Sequence, residues 1–348
     1  MRIHLGHHFY GAGNLGDDFM LAGFLVALRS LAPSATFSCC VPFPLAPLRQ
    51  RFPTIDWQPY DPDARSRCIA ACDVWLGLGG SPFQSALSRW FVDHLIGDAR
   101  LCTRHARPMY FLGVGVQSAD ELKLPEIQQL CGQASHIWTR DAASAQRLRL
   151  LPKPPAIDPS ADLAHVYFRT YPLPAAKAGR VTLVANFDYG PWPGQTACLD
   201  ALRHLHASEY CWLAQESRDL PGAERALYAA LTDAERTRWQ LVSPEQPGAA
   251  LPAVMTLWPS GEWLVTSRYH AALAGAWAGS KILVVTTNEK LRAAARELGT
   301  PVIAPDASEG TTADALATAR PQRPPTALAD HAWASCAAFV RSAVAHRR

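Results

Sequence analysis

Short, continuous apolar segments alternate with helical patterns along the chain, and this alternation restricts the fold more than any other feature of the sequence. The first series comprises MRIHLGHHF, ATFSCCV, DVWLGLGG, PMYFLGVGV and HIWTRD. The second comprises RVTLVANF, YCWLAQ, WQLVSP, EWLVTSR, KILVVTT and PVIAP. Strands this short and this uniformly apolar are typical of parallel sheets covered by helices on both faces. The sequence therefore predicts an α/β protein with two Rossmann-like sheets.

The two series meet near residues 171–179, where the segment YPLPAAKAG interrupts the pattern. We expect an N-terminal Rossmann-like domain over residues 1–172 and a C-terminal one over residues 173–325. The last residues, 326–348, contain an amphipathic helical pattern that is expected to pack back on the N-terminal domain. Ligands of parallel α/β sheets bind beyond the carboxyl ends of the strands, so the expected site is a cleft that the two domains face.

The composition limits the classes of function. Of 348 residues, 49% are hydrophobic and 18% are charged, as in a packed globular protein, and the net charge of +3 gives no case for nucleic-acid binding. Nine scattered cysteines lack the spacing of a zinc site or a disulfide framework, so buried reduced thiols are expected. No signal peptide is recognisable, and no apolar run reaches the roughly 20 residues that span a bilayer. A cytoplasmic protein is predicted.

A glycine-rich loop, GAGNLGDD, follows the first apolar segment and precedes a helical pattern. The residues that give its backbone unusual freedom are Gly11, Gly13, Asn14 and Gly16. The loop fits the loose dinucleotide pattern G-x-G-x-x-G, and the start of a helix offers N–H groups to an anion. Against a dinucleotide, Asp17 and Asp18 add negative charge, and no ribose-binding acid follows about 20 residues later. The alternatives are a plain helix cap and a cradle for another phosphorylated molecule.

Basic residues follow three predicted strands at their carboxyl ends. They are Arg140, then Arg268 with His270, then Lys290. Converging at one edge, these groups would suit a small ligand with several negative charges. Structural alternatives remain for three of them: Arg140 pairs with Asp141 or another carboxylate, Lys290 is a solvated surface lysine, and His270 is satisfied by the backbone.

An ordered series of motifs runs through about residues 3–300: YGAGNLGDDFML, LGLGGSPFQ, FLGVGVQ, TRDAASAQRL, DPSADLA, SRYHAALAGAWAGSKILVV and NEKLRAAARELG. Together they resemble the motifs of the polysaccharide pyruvyltransferases. The resemblance implies a GT-B-like pair of Rossmann-like domains and a role in polysaccharide biosynthesis for the cell envelope. It also implies transfer of the enolpyruvyl group of phosphoenolpyruvate to a sugar, with formation of a pyruvate ketal and release of phosphate. Phosphoenolpyruvate would be a co-substrate, and neither a cofactor nor a metal is expected.

The resemblance places the four basic residues at donor-binding positions. Arg140, Arg268 and Lys290 would hold the carboxylate and phosphate of phosphoenolpyruvate. His270 would act as a general acid, and Asp17 is the candidate base for the proton of the attacking sugar hydroxyl.

The glycine loop would then shape the acceptor side of the cleft through Gly11, Gly13, Asn14, Gly16 and Asp18. His7 and His8 precede this loop, and only one of them would face an acceptor if both lay on a strand. The sequence does not specify the acceptor, which is a free, nucleotide-linked or lipid-linked sugar. A lipid-linked acceptor would bring the enzyme to the inner face of the membrane.

Two other functions fit the same pattern. A GT-B glycosyltransferase with a nucleotide-sugar donor shares the fold, the cleft and the basic residues, and would bind a uridine or guanosine diphosphate. A catalytically silent relative would bind a glycan or a partner. Retention of all four basic positions weighs against the silent relative, because unpaired buried cations are costly in a purely structural cleft.

Overall fold

The structure is a computed structural model, and it describes residues 1–84, 89–187, 190–216, 222–244 and 246–346. The chain divides into two compact units. The first unit contains Met1–Ala12, Asp17–Thr170 and Thr326–Arg348, and the second contains Gly13–Gly16 and Tyr171–Pro325. The middle of the glycine loop therefore belongs to the second unit.

The first unit is built on a parallel sheet that has seven strands in the described residues, in the order β3-β2-β1-β4-β5-β6-β7. The strands are β1 (Arg2–Leu5), β2 (Thr36–Val41), β3 (Ile55–Pro59), β4 (Val74–Leu78), β5 (Met109–Val114), β6 (Ala134–Thr139) and β7 (Ala156–Pro159). Strands β4 and β5 are buried along their whole length, as their continuous apolar sequences predict. The strand order reverses between β1 and β4, which is the switch point where ligands of such sheets bind.

Helices connect these strands: α1 (Leu15–Leu31), α2 (Leu45–Arg51), α3 (Pro62–Ala71), α4 (Trp90–Arg104), α5 (Pro125–Gln133), α6 (Ala142–Leu148) and α7 (Ala164–Thr170), with a 3-10 turn at Glu121–Lys123. Helix α3 shows why they begin where they do. Asp61 accepts a hydrogen bond from the backbone N–H of Ala64, and Pro62 occupies the first helical position. Apolar side chains of α4 and α5 pack against the buried strands and form the core of this unit.

The second unit repeats the plan with six strands in the part that the structure describes, in the order β10-β9-β8-β11-β12-β13. They are β8 (Lys177–Val184), β9 (Glu209–Leu213), β10 (Trp239–Val242), β11 (Gly261–Thr266), β12 (Lys281–Val285) and β13 (Val302–Ile303). All the pairings are parallel, and the order reverses between β8 and β11. This second switch point lies beside the residues that follow β8, β9 and β11.

The helices of the second unit are α8 (Gln195–Arg203), α9 (Glu224–Ala229), α10 (Asp233–Arg238), α11 (Leu251–Thr256), α12 (Tyr269–Ala278), α13 (Glu289–Leu298) and α14 (Glu309–Thr318). The segment ERALYAALTDAERTRW, predicted as one helical pattern, forms two helices because Thr232 makes a capping box with Glu235 and starts a new one. Helix α12 is buried almost throughout and ends at Gly279, whose φ of 86° is left-handed.

The final helix, α15 (Thr326–Ala345), belongs to the first unit and packs against α7 and β5. Arg169 of α7 forms an ion pair with Asp330 at 2.5 Å, and the ring nitrogen Nδ1 of His346 lies 2.7 Å from the hydroxyl of Tyr110. The predicted fold class is confirmed: two Rossmann-like parallel sheets, with the C-terminal helix packed on the N-terminal unit. Among the helices of the described residues, none combines the length and apolar character needed to cross a bilayer.

Candidate functional site

A buried ion cluster lies at the carboxyl edge of the second sheet. Arg268 follows β11 and is the N-cap residue of α12. Its Nε donates to Glu224 Oε1 at 2.7 Å, and its terminal nitrogen donates to Glu216 Oε2. Both carboxylates are almost completely buried. The guanidinium predicted to bind a donor is therefore engaged by two carboxylates of the protein.

The charges of this cluster do not cancel. One guanidinium faces two carboxylates, and burial raises the pKa of Glu224 above its ordinary value, while the charge of Arg268 opposes that shift. Removing the guanidinium would leave the carboxylates buried without a cation, and removing both carboxylates would leave the guanidinium buried without an anion. The cluster therefore fixes the position of three side chains at the switch point.

Two oxygens beside the cluster have no hydrogen-bond partner in the described structure: Glu224 Oε2 and Gln215 Oε1. Glu224 is 0% exposed and Gln215 is 1% exposed. A buried acceptor left unpaired costs about 1–3 kcal/mol, so such groups are uncommon without a reason. Hydroxyl or N–H donors of a ligand would remove that cost.

Hydrogen bonds tie the end of β8 to the end of β11 at the same edge. The backbone N–H of Asn186 donates to Ser267 Oγ at 2.6 Å, and the Ser267 hydroxyl donates back to the carbonyl of Asn186 at 2.8 Å. The side-chain amide of Asn186 also reaches Glu216 Oε2 at 3.4 Å. The loops that follow β8 and β11 are thus fixed to each other and to the ion cluster.

The second half of the glycine loop belongs to this edge. Asn14 forms an isolated antiparallel bridge with Glu216, and the N–H of Leu15 donates to the carbonyl of Gln215 at 3.3 Å. A Cβ atom on Gly16 would lie 2.1 Å from Nδ1 of His270, so only glycine allows this approach. The structure therefore brings together four of the predicted site residues: Asn14, Gly16, Arg268 and His270.

Helix α12 presents its first turn at this edge without a side-chain cap. His270, its second residue, is 6% exposed and packs edge-on against Tyr269 at 5.1 Å between ring centroids. The ammonium of Lys290 lies 4.8 Å above the ring of Tyr269, while Asn288 accepts from the backbone N–H of Lys290 and caps α13. The half-buried Lys290 is thus held near the start of α12 by a cation–π contact. The positive end of a helix dipole and a nearby ammonium both favour an anion.

Three other predicted residues, Arg140, Asp17 and Asp18, lie in the first unit. Arg140 is 1% exposed, and its terminal nitrogen donates to Ser81 Oγ at 3.0 Å, while its Nε lies 3.7 Å from a carboxylate oxygen of Asp141. The buried carboxylate of Asp18 pairs with Arg51 at 2.5 Å. Asp17 is half-buried in the first turn of α1.

Two further loop glycines use the backbone freedom expected of them. Gly11 has a φ of 89° and Gly13 a φ of 82°, a region that other residues rarely occupy. A Cβ on Gly11 would also approach Leu48 to 2.9 Å. These glycines shape the turn that leads from the first unit into α1.

The switch point of the first unit is filled by neutral rings. His7 and His8 are both buried, since β1 ends at Leu5 and strand alternation no longer applies to them. Nδ1 of His7 lies 2.9 Å from the carbonyl oxygen of Leu78, to which Tyr10 also donates. Burial lowers the pKa of His7 to about 3 and that of His8 to about 2, so both imidazoles are uncharged at neutral pH.

Several residues of these edges were not predicted. Asn186 and Glu216 stand at the carboxyl ends of β8 and β9, where the rule that located Arg268 would also have found them. Gln215 follows β9 as well and carries the same signal. Glu224, the first residue of α9, carries none, because its importance comes from burial and its contact with Arg268. In the described part of the chain, no group of three or more His, Cys, Asp and Glu side chains is arranged to hold a metal ion.

Comparisons with known proteins show likeness in structure alone. No family model matches the chain. No curated protein matches it by sequence. HepE from Anabaena in complex with UDP-glucose superposes with a TM-score of 0.59 at 12% identity, over 97% of this chain and 94% of HepE. A putative UDP-N-acetylglucosamine 2-epimerase from Listeria monocytogenes gives 0.60 at 12% identity, over 94% and 93%. The Neisseria meningitidis UDP-GlcNAc 2-epimerase bound to UDP-GlcNAc gives 0.58 at 10% identity, over 99% and 98%.

These likenesses show a GT-B-like fold and correct the family predicted from the motifs. The similar structures are UDP-sugar proteins and not pyruvyltransferases. The predicted membership of the polysaccharide pyruvyltransferases is wrong, and with it the predicted pyruvyl transfer from phosphoenolpyruvate. Short motifs rich in Gly, Ala and Arg at strand ends recur in Rossmann-like sheets because the fold requires them, so their order did not specify the chemistry.

Proposed function

We propose that this chain is an enzyme that acts on a UDP-sugar. The proposal is carried by the polar edge of the second unit, which holds the Arg268 ion cluster and two buried oxygens, Glu224 Oε2 and Gln215 Oε1, that have no hydrogen-bond partner among the described residues. It is supported by proteins of similar fold that were crystallised with UDP-glucose or UDP-GlcNAc and align over 97% and 99% of this chain. Nucleotides bind to such sheets at the switch point, which is where this edge lies.

The nucleoside is the part of the ligand that suits the unpaired acceptors. Uridine offers an N–H on its base and two hydroxyls on its ribose. Glu224 Oε2 and Gln215 Oε1 would accept hydrogen bonds from such donors and lose the cost of being buried without a partner. Carboxylates are common partners of ribose hydroxyls in nucleotide-binding sheets. The ion pair with Arg268 keeps the Glu224 carboxylate oriented for this contact.

The diphosphate needs a different part of the same edge. Two carboxylates against one guanidinium would repel it from the ion cluster. The first turn of α12 carries the positive end of the helix dipole, and Lys290 adds a cation above Tyr269. The diphosphate would therefore lie at the start of α12, with His270 beside it.

The chemistry would take place on the sugar while the UDP group is held. The similar proteins whose names state an activity are UDP-N-acetylglucosamine 2-epimerases, which favours epimerisation of the sugar. Sugar transfer remains the second outcome that the same site would support, since both reactions begin with a bound UDP-sugar.

Binding is tested by calorimetric titration with UDP, UDP-glucose and UDP-GlcNAc, with ADP and GDP as comparison ligands. The proposal predicts saturable binding of the uridine compounds and a loss of about tenfold or more in affinity for Glu224→Gln, which replaces an acceptor oxygen near the ribose. Glu209→Gln is the matched control, because Glu209 also pairs with basic side chains of this unit, Lys177 and Arg180. Glu209 lies at the amino end of β9, whereas the proposed site lies at the carboxyl ends of the strands. No binding of any uridine compound to the folded protein would contradict the proposal.

The reaction is identified by proton NMR of UDP-GlcNAc incubated with the protein. Epimerisation gives a new anomeric signal of a UDP-bound sugar with the opposite configuration at C2. Transfer or hydrolysis instead releases UDP. An unchanged spectrum with a protein that binds UDP-GlcNAc would contradict the enzymatic part of the proposal for this substrate, and the same assay is then repeated with UDP-glucose.

A further inference from the structure

The amino ends of the strands in the first unit carry a group of exposed basic side chains. Helices that connect parallel strands run back along the sheet, so their last turns lie at this end of it. Arg29 lies in the last turn of α1, and Arg104 lies in that of α4. Arg100 shares a helix face with Arg104, and Lys153 lies in the connection from α6 to β7. All four are exposed at the end of the sheet that is opposite to the switch point.

Arg67 and Arg341 extend this group. Arg67 of α3 is exposed and lines a cavity of about 400 Å³ together with Arg2, the first residue of β1. Arg341 is exposed near the end of α15, where Nδ1 of His346 lies 2.7 Å from the hydroxyl of Tyr110, the second residue of β5. We call the following six side chains the basic surface: Arg29, Arg67, Arg100, Arg104, Lys153 and Arg341.

The cations of the basic surface are not neutralised by partners among the described residues. None of the six side chains forms a hydrogen bond or an ion pair in this part of the chain. In the second unit, by contrast, Arg236 pairs with Asp233 at 2.5 Å, and Arg296 pairs with Glu289 at 2.5 Å. Unpaired charges of one sign on one surface produce a positive potential that extends about 8 Å into solution at physiological salt.

Acidic side chains near this end of the sheet leave the basic surface positive. Asp73, which precedes β4, lies 3.7 Å from Arg2, and the buried Asp98 pairs with Arg65. Neither of these two arginines belongs to the basic surface. Asp56 of β3 is exposed, and its charge offsets that of one cation in six. The surface therefore keeps a net positive charge and attracts anions.

Two exposed apolar side chains accompany these cations. Leu150 is 78% exposed and lies three residues before Lys153 in the same connection. Val344 is 42% exposed and follows Arg341 by three residues, which places both on one face of α15. Single-stranded nucleic acids are bound through aromatic side chains that stack on the bases. Cations beside exposed aliphatic side chains instead suit the boundary between the headgroups and the acyl chains of a membrane.

We propose that the basic surface, together with Leu150 and Val344, binds an anionic lipid bilayer. The guanidinium and ammonium groups lie against the phosphates of the headgroups, and the two aliphatic side chains enter the outer part of the acyl region. Each cation near an anionic membrane increases the partition of a protein onto that membrane by about fivefold. The proposal is independent of the UDP-sugar site, because it uses no residue of the polar edge in the second unit.

The first test is co-sedimentation of the full chain with lipid vesicles. One preparation contains phosphatidylcholine alone, and in the other one third of the lipid is phosphatidylglycerol. We expect binding to the anionic vesicles at about 0.05 M salt and loss of most of this binding at about 0.5 M, because screening shortens the reach of the charges. Absence of binding to the anionic vesicles at the lower salt concentration, or equal binding to both preparations, would overturn the proposal.

The second test changes the basic surface itself. The double variant Arg100→Gln/Arg104→Gln should lower the partition onto anionic vesicles by about tenfold or more. Arg292→Gln/Arg296→Gln is the matched control and should keep the wild-type partition. Its two exposed arginines are also four residues apart on one helix, α13 of the second unit, and the change in net charge is the same. Thermal unfolding followed by circular dichroism checks that both variants fold. Equal losses of partition would show attraction by the overall charge and would overturn the assignment of this surface.

The third test separates a membrane from a nucleic acid. Leu150→Ser keeps the net charge and should lower the partition onto anionic vesicles about threefold. Leu257→Ser, at an exposed leucine of the second unit, should leave the partition unchanged. Binding of the chain to single-stranded RNA is measured in parallel by filter retention. RNA binding without vesicle binding, or vesicle binding that Leu150→Ser leaves unaltered, would overturn the proposed lipid contact.

Discussion

At the switch point of the second unit, Arg268 holds two buried carboxylates, whereas the switch point of the first unit is packed with histidine and aromatic rings. The two sheets have similar strand orders. In each of them, the order in which successive strands are added reverses beside the first strand, β1 or β8. The side chains that follow the strands differ completely. Buried carboxyl groups around a guanidinium suit a polar nucleotide, and neutral rings such as that of His7 do not. Topology therefore locates two possible sites, and the chemistry of the loops favours one of them.

The two switch points also differ in how their polar groups are satisfied. In the first unit, Asp98 accepts from Arg65 at 2.5 Å and from the indole of Trp75 at 3.0 Å, while His94 lies 2.9 Å from the hydroxyl of Tyr60 and 2.7 Å from a backbone carbonyl. Near this network, Nε2 of His7 and both ring nitrogens of His8 have no hydrogen-bond partner among the described residues, and at the second switch point the same holds for Glu224 Oε2 and Gln215 Oε1. The two regions therefore differ in the kind of group that is left open, which is an uncharged ring nitrogen in the first and a carboxyl or amide oxygen in the second.

The largest effect is expected for Arg268→Met. This change leaves Glu216 and Glu224 buried without their cation, which should lower the free energy of unfolding by about 3–5 kcal/mol. Urea denaturation followed by circular dichroism measures it. Arg296→Met is the control, since its pair with Glu289 is exposed and its loss should change stability by less than about 0.5 kcal/mol.

A second variant keeps the prediction testable if Arg268→Met does not fold. Replacing Glu216 and Glu224 by Gln in the Arg268→Met background removes the uncompensated charges and should restore most of the stability. A loss below about 1 kcal/mol for Arg268→Met alone, or no recovery in the triple variant, would show that the cluster is not the ionic centre of this edge.

A smaller loss is expected for Gly16→Ala. The added methyl would meet the ring of His270 at 2.1 Å, so the loop or the ring must shift, at about 1–3 kcal/mol. Gly310→Ala is closely matched, because Gly310 is also the second residue of its helix, α14, and a Cβ there meets nothing within 4 Å. Gly310→Ala should stabilise the protein by up to about 1 kcal/mol. Equal effects of the two changes in urea denaturation would refute the contact between loop and helix.

The neutral rings of the first unit predict a dependence of stability on pH. The unfolded chain takes up a proton on each histidine near pH 6.5, whereas His7 in the folded state does so only near pH 3. The contribution of His7 to the free energy of unfolding is fully present above pH 6.5 and is lost as the pH falls toward 3. Between pH 7 and 5.5 the loss is about 1 kcal/mol per histidine.

His7→Phe tests this assignment. Tyr10 still donates to the carbonyl of Leu78 in the variant, and the new ring lies among the aromatic neighbours of His7. The loss of unfolding free energy between pH 7 and 5.5 should be smaller than in the wild-type protein by about 1 kcal/mol. An unchanged loss would mean that His7 is not kept neutral by burial.

The smallest effect concerns Lys290→Gln. Removing one partly exposed cation near the first turn of α12 should weaken UDP binding about three- to tenfold, without a change in stability above about 0.5 kcal/mol. Lys153→Gln, an exposed lysine of the first unit, has the same change in net charge and should leave UDP affinity as it is. Calorimetric titration distinguishes the two, and equal affinities would remove Lys290 from the proposed site.

The sequence predicted most of the sheet strands because parallel strands are continuously apolar, and the two exceptions show the limit of that signal. Strand β3 has the sequence IDWQP, in which Asp56 and Gln58 alternate with buried residues at the sheet edge. Strand β7, AIDP, is a four-residue edge strand with one buried position. Edge strands expose one side, so their apolar signal is short and interrupted.

The candidate site was predictable only in part. Arg268 and His270 could be located because a strand leads directly into a helix at that point. Their partners could not, because Glu224 lies 44 positions away from Arg268 along the chain and no local pattern links them. The contact of Gly16 with His270 likewise depends on tertiary structure. A sequence pattern therefore located the edge, and only the packing showed that its arginine is already paired.

Hydrogen–deuterium exchange with and without saturating UDP tests the central claim, that the nucleotide binds at the polar edge of the second unit. Binding at this edge should slow the exchange of backbone amides in residues 210–216, 222–230 and 266–272 and leave residues 6–12 unchanged. Glu224→Gln at the same UDP concentration should lose most of this protection. Protection confined to residues 6–12, or none at a UDP concentration that saturates binding, would contradict the account.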